Sequence, residues 1–212
     1  MYFSLRTVLI LFLLLAILLA AAGWYFLAGS NPAIDAAALA AAETRMWQAY
    51  YDKDLRALRN EVKEVLRQQF GLSRVQSAKI AANLTAASAK FIAMRRGGNP
   101  VDSVLPDLEA AYASIEKATE LDFNPREAAE AELAWWTARR TSGKNSVENV
   151  GKEIARLYGI LYGATNPDIE QAGYLRAKAA HLRDTGQDWQ EVESLLYQSY
   201  TSLLKGVETR LP

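Results

Sequence analysis

The chain of 212 residues contains no cysteine and only one histidine. Without cysteine it forms no disulfide and has no thiol to carry a lipid, and this absence fits an oxidising or a reducing compartment equally well. With His181 as the single imidazole, a metal site would have to be built from carboxylates. The Glu-x-x-His pattern of carboxylate-bridged di-iron bundles does not occur in the sequence. We therefore predict no metal and no cofactor, and a surface or packing role for His181.

Net charge is also lacking, because 24 Lys and Arg residues balance 24 Asp and Glu residues. A protein that binds a phosphate backbone needs clustered positive charge to displace counterions, so nucleic acid is not an expected partner. The sequence contains no glycine-rich phosphate loop, nucleophile elbow or metalloprotease motif. These absences predict a protein that is not an enzyme, with no catalytic residues to name.

One stretch lacks charge altogether, the apolar run VLILFLLLAILLAAAGWYFLA at 8–28. At about 1.5 Å per residue it reaches roughly 31 Å as a helix, close to the ~30 Å hydrocarbon core of a bilayer. Trp24 and Tyr25 lie near its far end, where aromatic rings favour the headgroup region. A cleaved signal peptide begins similarly, but its apolar region usually covers about 7–15 residues. We expect an uncleaved transmembrane signal-anchor.

The charges that flank this run predict its orientation. Arg6 precedes it, whereas the first basic residue after it is Arg45. Because the positively charged flank is retained in the cytoplasm, residues 1–7 are predicted as a short cytoplasmic N-terminus and 8–28 as a single span. The domain at 29–212 should then stand on the extracytoplasmic or periplasmic side of the inner membrane.

The chain after the anchor is predicted to be all-α. Alanine, leucine and charged helix formers dominate, and no stretch shows sustained period-two alternation. Asparagine–proline pairs are typical helix starts, and glycines such as Gly71 and Gly163 are typical helix ends. Pro106 should be tolerated only in a first turn. The pattern predicts about eight antiparallel helices near 32–53, 54–70, 74–96, 101–121, 125–140, 147–162, 167–184 and 189–207.

An internal repeat is indicated when the chain is aligned with itself at an offset of 88 residues. Trp47 then falls on Trp135, and the segment 112–115 (YASI) falls on 200–203 (YTSL). The alignment predicts tandem halves at about 32–121 and 125–207, each holding two helical hairpins. A single hairpin cannot bury its apolar face alone, so four stacked hairpins are expected.

In these segments the chain resembles the tetratricopeptide-like family of helical repeats. The segment 112–125 (YASIEKATELDFNP) is similar to the second helix and exit of such a unit, and 174–200 resembles a whole hairpin with Gly186 at its turn. The predicted units exceed the family's repeat of about 34 residues, and the small glycine of the first helix is missing. The resemblance implies a solenoid whose concave face binds peptides or proteins; the alternative fold is a compact bundle.

Trp135 and Trp136, followed by Arg139, form the most unusual local cluster. Adjacent helical residues point about 100° apart, so one tryptophan can face the core while the other faces a groove or a neighbouring unit. Aromatic residues and arginine are enriched in binding hot spots, which makes these three residues candidates for partner binding. The alternative is packing between helices, with the doublets Arg95-Arg96 and Arg139-Arg140 placed to favour helix C-termini.

The predicted function is that of a membrane-anchored extracytoplasmic module for protein binding or complex assembly, a scaffold at the cell envelope. Its expected partners are the membrane and one or more proteins. The alternative is a protein that binds a small ligand or cofactor, or an enzyme subunit. Its pocket would lie among Trp135, Tyr158, Tyr162 and His181 in the second half of the chain.

Overall fold

A computed structural model describes residues 34–94, 100–186 and 188–208. The predicted span at 8–28 and the Arg95-Arg96 doublet lie outside these ranges. In the described ranges the secondary structure is helical, with no strand, as predicted for the fold class. None of the described helices combines the length and the apolar character that crossing a membrane requires. The helices are α1 Ala36–Tyr51, α2 Leu55–Phe70, α3 Arg74–Ala93, α4 Pro100–Ala118, α5 Pro125–Arg140, α6 Val147–Tyr162, α7 Pro167–Thr185 and α8 Trp189–Glu208.

Most helix ends follow from capping side chains that the sequence displays. Ser73 caps α3 in a complete capping box with Gln76, and Asn124 and Asn166 cap α5 and α7 directly before a proline. Gly71 and Gly163 end α2 and α6 in the left-handed conformation, at φ of 64° and 63°. These caps confirm the predicted ends, because a side chain or a left-handed glycine satisfies the free backbone groups there.

Two helix predictions are wrong in detail. Helix α1 begins at Ala36, four residues after the predicted Pro32, because Asp35 takes an extended conformation and accepts hydrogen bonds from the backbone N–H groups of Ala37 and Ala38. Pro106 lies beyond the first turn of α4, which begins at Pro100. Its side chain is exposed, so its ring meets no neighbouring helix, although the backbone loses one helical hydrogen bond there.

The helices form a closed ring. Each helix packs against the next one in the chain, and α8 returns to pack against α1. One continuous apolar core fills the interior, and its fully buried members include Leu39, Ile80, Leu108, Ile154 and Leu196. In an open array the first and last helices would each expose one face, whereas here they cover each other.

The backbones of α6 and α7 approach each other closely where both helices carry a glycine. A Cβ atom added to Gly173 would meet the carbonyl oxygen of Gly151 and would lie 2.7 Å from the backbone nitrogen of Ala155. These two helices pack at that distance because both carry glycine at the crossing. The contact fixes the position of α7, which supplies the buried arginine described next.

Candidate functional site

A fully buried carboxylate joins the first helix to the last hairpin. Glu43 of α1 is 0% exposed and accepts hydrogen bonds from Arg176 of α7, whose Nε and Nη2 lie 3.1 and 2.5 Å from Oε1. Tyr200 of α8 donates its hydroxyl to the other carboxylate oxygen. Burial alone would lower the pKa of Arg176, but the charge of Glu43 outweighs it and raises that pKa well above its usual value. Arg176 therefore stays a cation, and its contact with Glu43 joins α7 to α1.

The junction between α4 and α5 repeats part of this arrangement. Tyr112 of α4 donates its hydroxyl to Glu132 of α5 at 3.0 Å, and the indole Nε1 of Trp136 donates to the same carboxylate at 2.8 Å. Burial, reinforced by the charge of Glu132, raises the pKa of Tyr112 well above its usual value. A tyrosine–glutamate bond thus joins α4 to α5 and α8 to α1. Both acids serve to connect helices.

A second polar cluster gathers the C-terminal ends of α1, α5 and α7. The carboxylate of Asp184 accepts hydrogen bonds from Arg139 at 2.5 Å, from Arg183 at 3.1 Å and from the hydroxyl of Tyr51. Burial would raise the pKa of Asp184, but the two arginines and the tyrosine outweigh it and lower that pKa. Arg183 lies 4.1 Å from the ring centroid of Trp47, and burial followed by repulsion from Arg139 lowers its pKa.

The residues predicted to bind a partner are engaged in contacts within the chain. Trp135 is 6% exposed and lies beneath the guanidinium groups of Arg176 and Arg139, at 5.1 and 5.8 Å. Trp136 is half-buried and packs on Phe91 of α3, with ring centroids 5.3 Å apart. The structure therefore brings Trp135 and Arg139 together and directs Trp136 towards the neighbouring hairpin. These are the contacts that the packing alternative describes.

The pocket proposed for the second half of the chain is not formed by its four predicted residues as a group. Trp135, Tyr158 and Tyr162 are buried, and burial raises the pKa of Tyr162 to about 12. His181 is exposed on α7. Among the residues that the structure describes, no three His, Asp or Glu side chains are placed to hold a metal ion.

An open groove of about 480 Å³ lies instead between α1 and α8. Its α1 side is built from small residues, Ala37, Ala40 and Thr44, while Trp189 and Tyr197 form its aromatic walls on α8. Its other lining residues are polar: Arg45, Gln48, Gln190, Glu193 and Ser194. The sequence displays the small residues as an alanine-rich stretch at 36–42, but the groove also needs α8, which lies about 150 residues further along the chain. No local sequence pattern predicts that α1 and α8 lie side by side.

The charges in this groove are unequal. Arg45 forms an ion pair with Glu61 of α2, and its Nε lies 2.9 Å from the carboxylate oxygen. Glu193 is exposed and has no ion-pair partner among the described residues. Tyr197 is 48% exposed, which is high for so large an aromatic side chain in a folded domain. The groove therefore presents aromatic surface and one uncompensated negative charge.

No family model, no curated protein and no solved structure matches this chain. The protein is therefore classified by its fold alone. It is an all-helical protein whose described helices close into a ring.

Proposed function

We propose that this chain is a membrane-anchored helical-repeat module that binds a protein partner at the cell envelope. The observation that carries the proposal is the groove between α1 and α8, which combines the exposed ring of Tyr197 and the half-buried ring of Trp189 with a polar rim. Interfaces are enriched in tyrosine and tryptophan, and binding energy concentrates on such anchors. The helical-repeat character and the tetratricopeptide-like resemblance belong to the same proposal, and the recurring tyrosine–glutamate junction supports two tandem halves.

The groove supports binding better than catalysis. The carboxylates of Glu43 and Glu132 accept hydrogen bonds from side chains of neighbouring helices. The groove itself holds a single carboxylate, that of Glu193. General acid–base chemistry usually relies on a pair of groups whose pKa values differ. A groove with aromatic walls and small residues opposite is suited to a helix or an extended segment of another protein.

The membrane anchor gives this binding site its place. The small-residue side of the groove begins at Ala37, nine residues after the apolar run ends at Ala28. A partner held there would therefore lie close to the bilayer surface, and Arg6 favours the extracytoplasmic side. The module would assemble envelope proteins beside the membrane.

Purification of the full-length protein from gently solubilised membranes tests the proposal. We expect a partner in stoichiometric amount, lost in Tyr197→Ala and retained in Val75→Ala, a control that is 63% exposed on α3. Equal recovery from both variants would remove the groove from the proposal. A monomer that arrives carrying a cofactor or lipid would support the alternative function.

A reporter that fluoresces only in the cytoplasm, fused after Pro212, tests the orientation separately. A dark fusion in the membrane fraction is expected. Bright fluorescence would reverse the orientation, and a soluble fusion would show that the anchor is cleaved.

A further inference from the structure

The two junctions that share the tyrosine–glutamate bond differ in their charges. At the α4–α5 junction, Arg126 near the start of α5 pairs with Glu109 of α4 at 3.0 Å and with Glu130 at 2.8 Å. The residue that corresponds to Arg126 at the offset of 88 is Ala38 of α1. The α8–α1 junction therefore lacks the basic side chain that the α4–α5 junction supplies from within the chain.

The groove at the α8–α1 junction holds one acidic side chain. At the offset of 88, Glu109 corresponds to Tyr197, and Glu193 lies one helical turn before Tyr197 in the groove. The nearest basic lining residue, Arg45, is neutralised by Glu61. From Trp189 to Leu204, α8 carries Glu191 and Glu193 and no basic residue. Among the described residues, Glu193 has no ion-pair partner within the chain.

Two aromatic side chains flank Glu193 along α8, although Trp189 is half-buried and also packs on Tyr51. Trp189 and Tyr197 lie four residues before and four residues after Glu193, so all three share one face of α8. A guanidinium or ammonium group gains from contact with aromatic faces, and its apolar stem covers their edges. Opposite them, the short side chains of Ala37 and Ala40 leave room for a backbone to approach.

We infer that the occupant of the groove is a basic helical segment of a partner protein, which inserts an arginine or lysine between Trp189 and Tyr197 against Glu193. The inference rests on the proposed function and specifies its partner. The partner's cation supplies a positive charge that α8 lacks from Trp189 to Leu204, and its helix lies on the small residues of α1. A groove without an unpaired carboxylate would give no preference for a basic side chain.

The test uses the full-length protein in detergent and a synthetic 16-residue helical peptide of alanine and leucine with two arginines one turn apart. Matched peptides carry glutamine or glutamate instead. Calorimetric titration should show binding of the arginine peptide about tenfold tighter than the glutamine peptide, the sum of one cation–π contact and one ion pair. Glu193→Gln should remove this difference, whereas Glu191→Gln, the same charge change outside the groove lining, should preserve it.

Each result bears on one of the two proposals. Equal losses in Glu193→Gln and Glu191→Gln would show general attraction of positive charge and would overturn the inference. Equal binding of all three peptides, sensitive to Tyr197→Ala, would overturn the basic partner while protein binding at the groove survives. If the membrane-purified partner is retained in Tyr197→Ala, the proposed binding site itself fails.

Discussion

Two buried tryptophans, Trp47 and Trp135, each pack against arginine guanidinium groups in the interior of this molecule. Trp47 lies under Arg183, and Trp135 lies under Arg176 and Arg139. Each indole buries a large apolar area, and each guanidinium lies against an aromatic face. The same residue type thus fills an equivalent place in α1 and in α5, 88 residues apart. These positions should dominate the packing energy of their helices.

Truncating either buried tryptophan should therefore destabilise the protein strongly. Trp47→Ala and Trp135→Ala, each 6% exposed, should cost about 3–5 kcal/mol and lower Tm by about 10 °C in detergent-purified protein. Trp136→Ala should cost clearly less, because its ring is half-buried at the edge of α3. Thermal melts followed by circular dichroism compare the three variants. Equal shifts in all three would contradict the assignment of Trp135 as the core residue.

The equivalence of two tryptophans could be read from the sequence, whereas the polar cluster could not. The repeat alignment places Trp47 and Trp135 at equivalent positions without deciding between Trp135 and Trp136 as the core residue, and in the structure Trp47 and Trp135 are both buried. Glu43 and Arg176 are 133 residues apart, and each is an ordinary charged residue in an alanine-rich helix. Nothing local distinguishes a buried glutamate from an exposed one when its partner is so distant. For the same reason the sequence offered Trp135, Trp136 and Arg139 as candidates and missed the groove.

Among the helices, most boundaries could be predicted because they depend on local chemistry. Ser73, Asn124 and Ser146 act on backbone groups two or three residues away, so their role is written in the adjacent sequence. The start of α1 was missed because Asp35 competes with Asn31-Pro32 as a cap, and the two patterns are equally good locally. The contact between α6 and α7 depends on Gly151 and Gly173. The sequence shows both glycines but does not show that they lie opposite each other.

A methyl group at Gly173 should force α6 and α7 apart. The added Cβ of Gly173→Ala would meet the backbone of Gly151 and Ala155, neither of which can rotate away. Helix propensity favours alanine by about 1 kcal/mol, but overpacking against backbone costs about 1–3 kcal/mol or more, so a net loss is expected. Gly186→Ala is the control, since its nearest neighbour lies at 3.6 Å. Urea unfolding that ranks Gly186→Ala below Gly173→Ala would contradict this packing.

At the scale of the whole molecule, polar contacts join helices that are distant in the sequence, beside the continuous apolar core. Asp184 draws α1, α5 and α7 together at one end, and Glu43 draws α1, α7 and α8 together inside. Closure could not be predicted from helical periodicity, because periodicity assigns an apolar face to each helix without naming the helix that covers it. The alternatives of solenoid and bundle therefore share one sequence pattern.

The Asp184 cluster should make stability depend on pH in the acid range. Its pKa in the folded protein is lowered from the ordinary 3.8, so its contribution is fully present above about pH 4 and is lost as pH falls through the folded value. Asp184→Asn should therefore be less stable than the parent protein at pH 7, and the difference should shrink at pH 2.5. Glu130→Gln, at an exposed pair, is the control. Urea midpoints at both pH values give the comparison, and a difference independent of pH would contradict the role of the charge.

Closure itself can be tested at Glu43. In Glu43→Gln the amide oxygen still accepts a hydrogen bond, but Arg176 becomes a buried cation without its counter-ion, a change that costs about 3–5 kcal/mol. If the ring is closed at this point, hydrogen exchange followed by mass spectrometry should show lost protection in α1, α7 and α8 together. Helices α3 and α4 on the other side should keep theirs. Glu61→Gln, at a partly exposed pair with Arg45, should cost less than about 1 kcal/mol and change little. Faster exchange confined to α1 would mean that the first helix frays alone, as at the end of an open array.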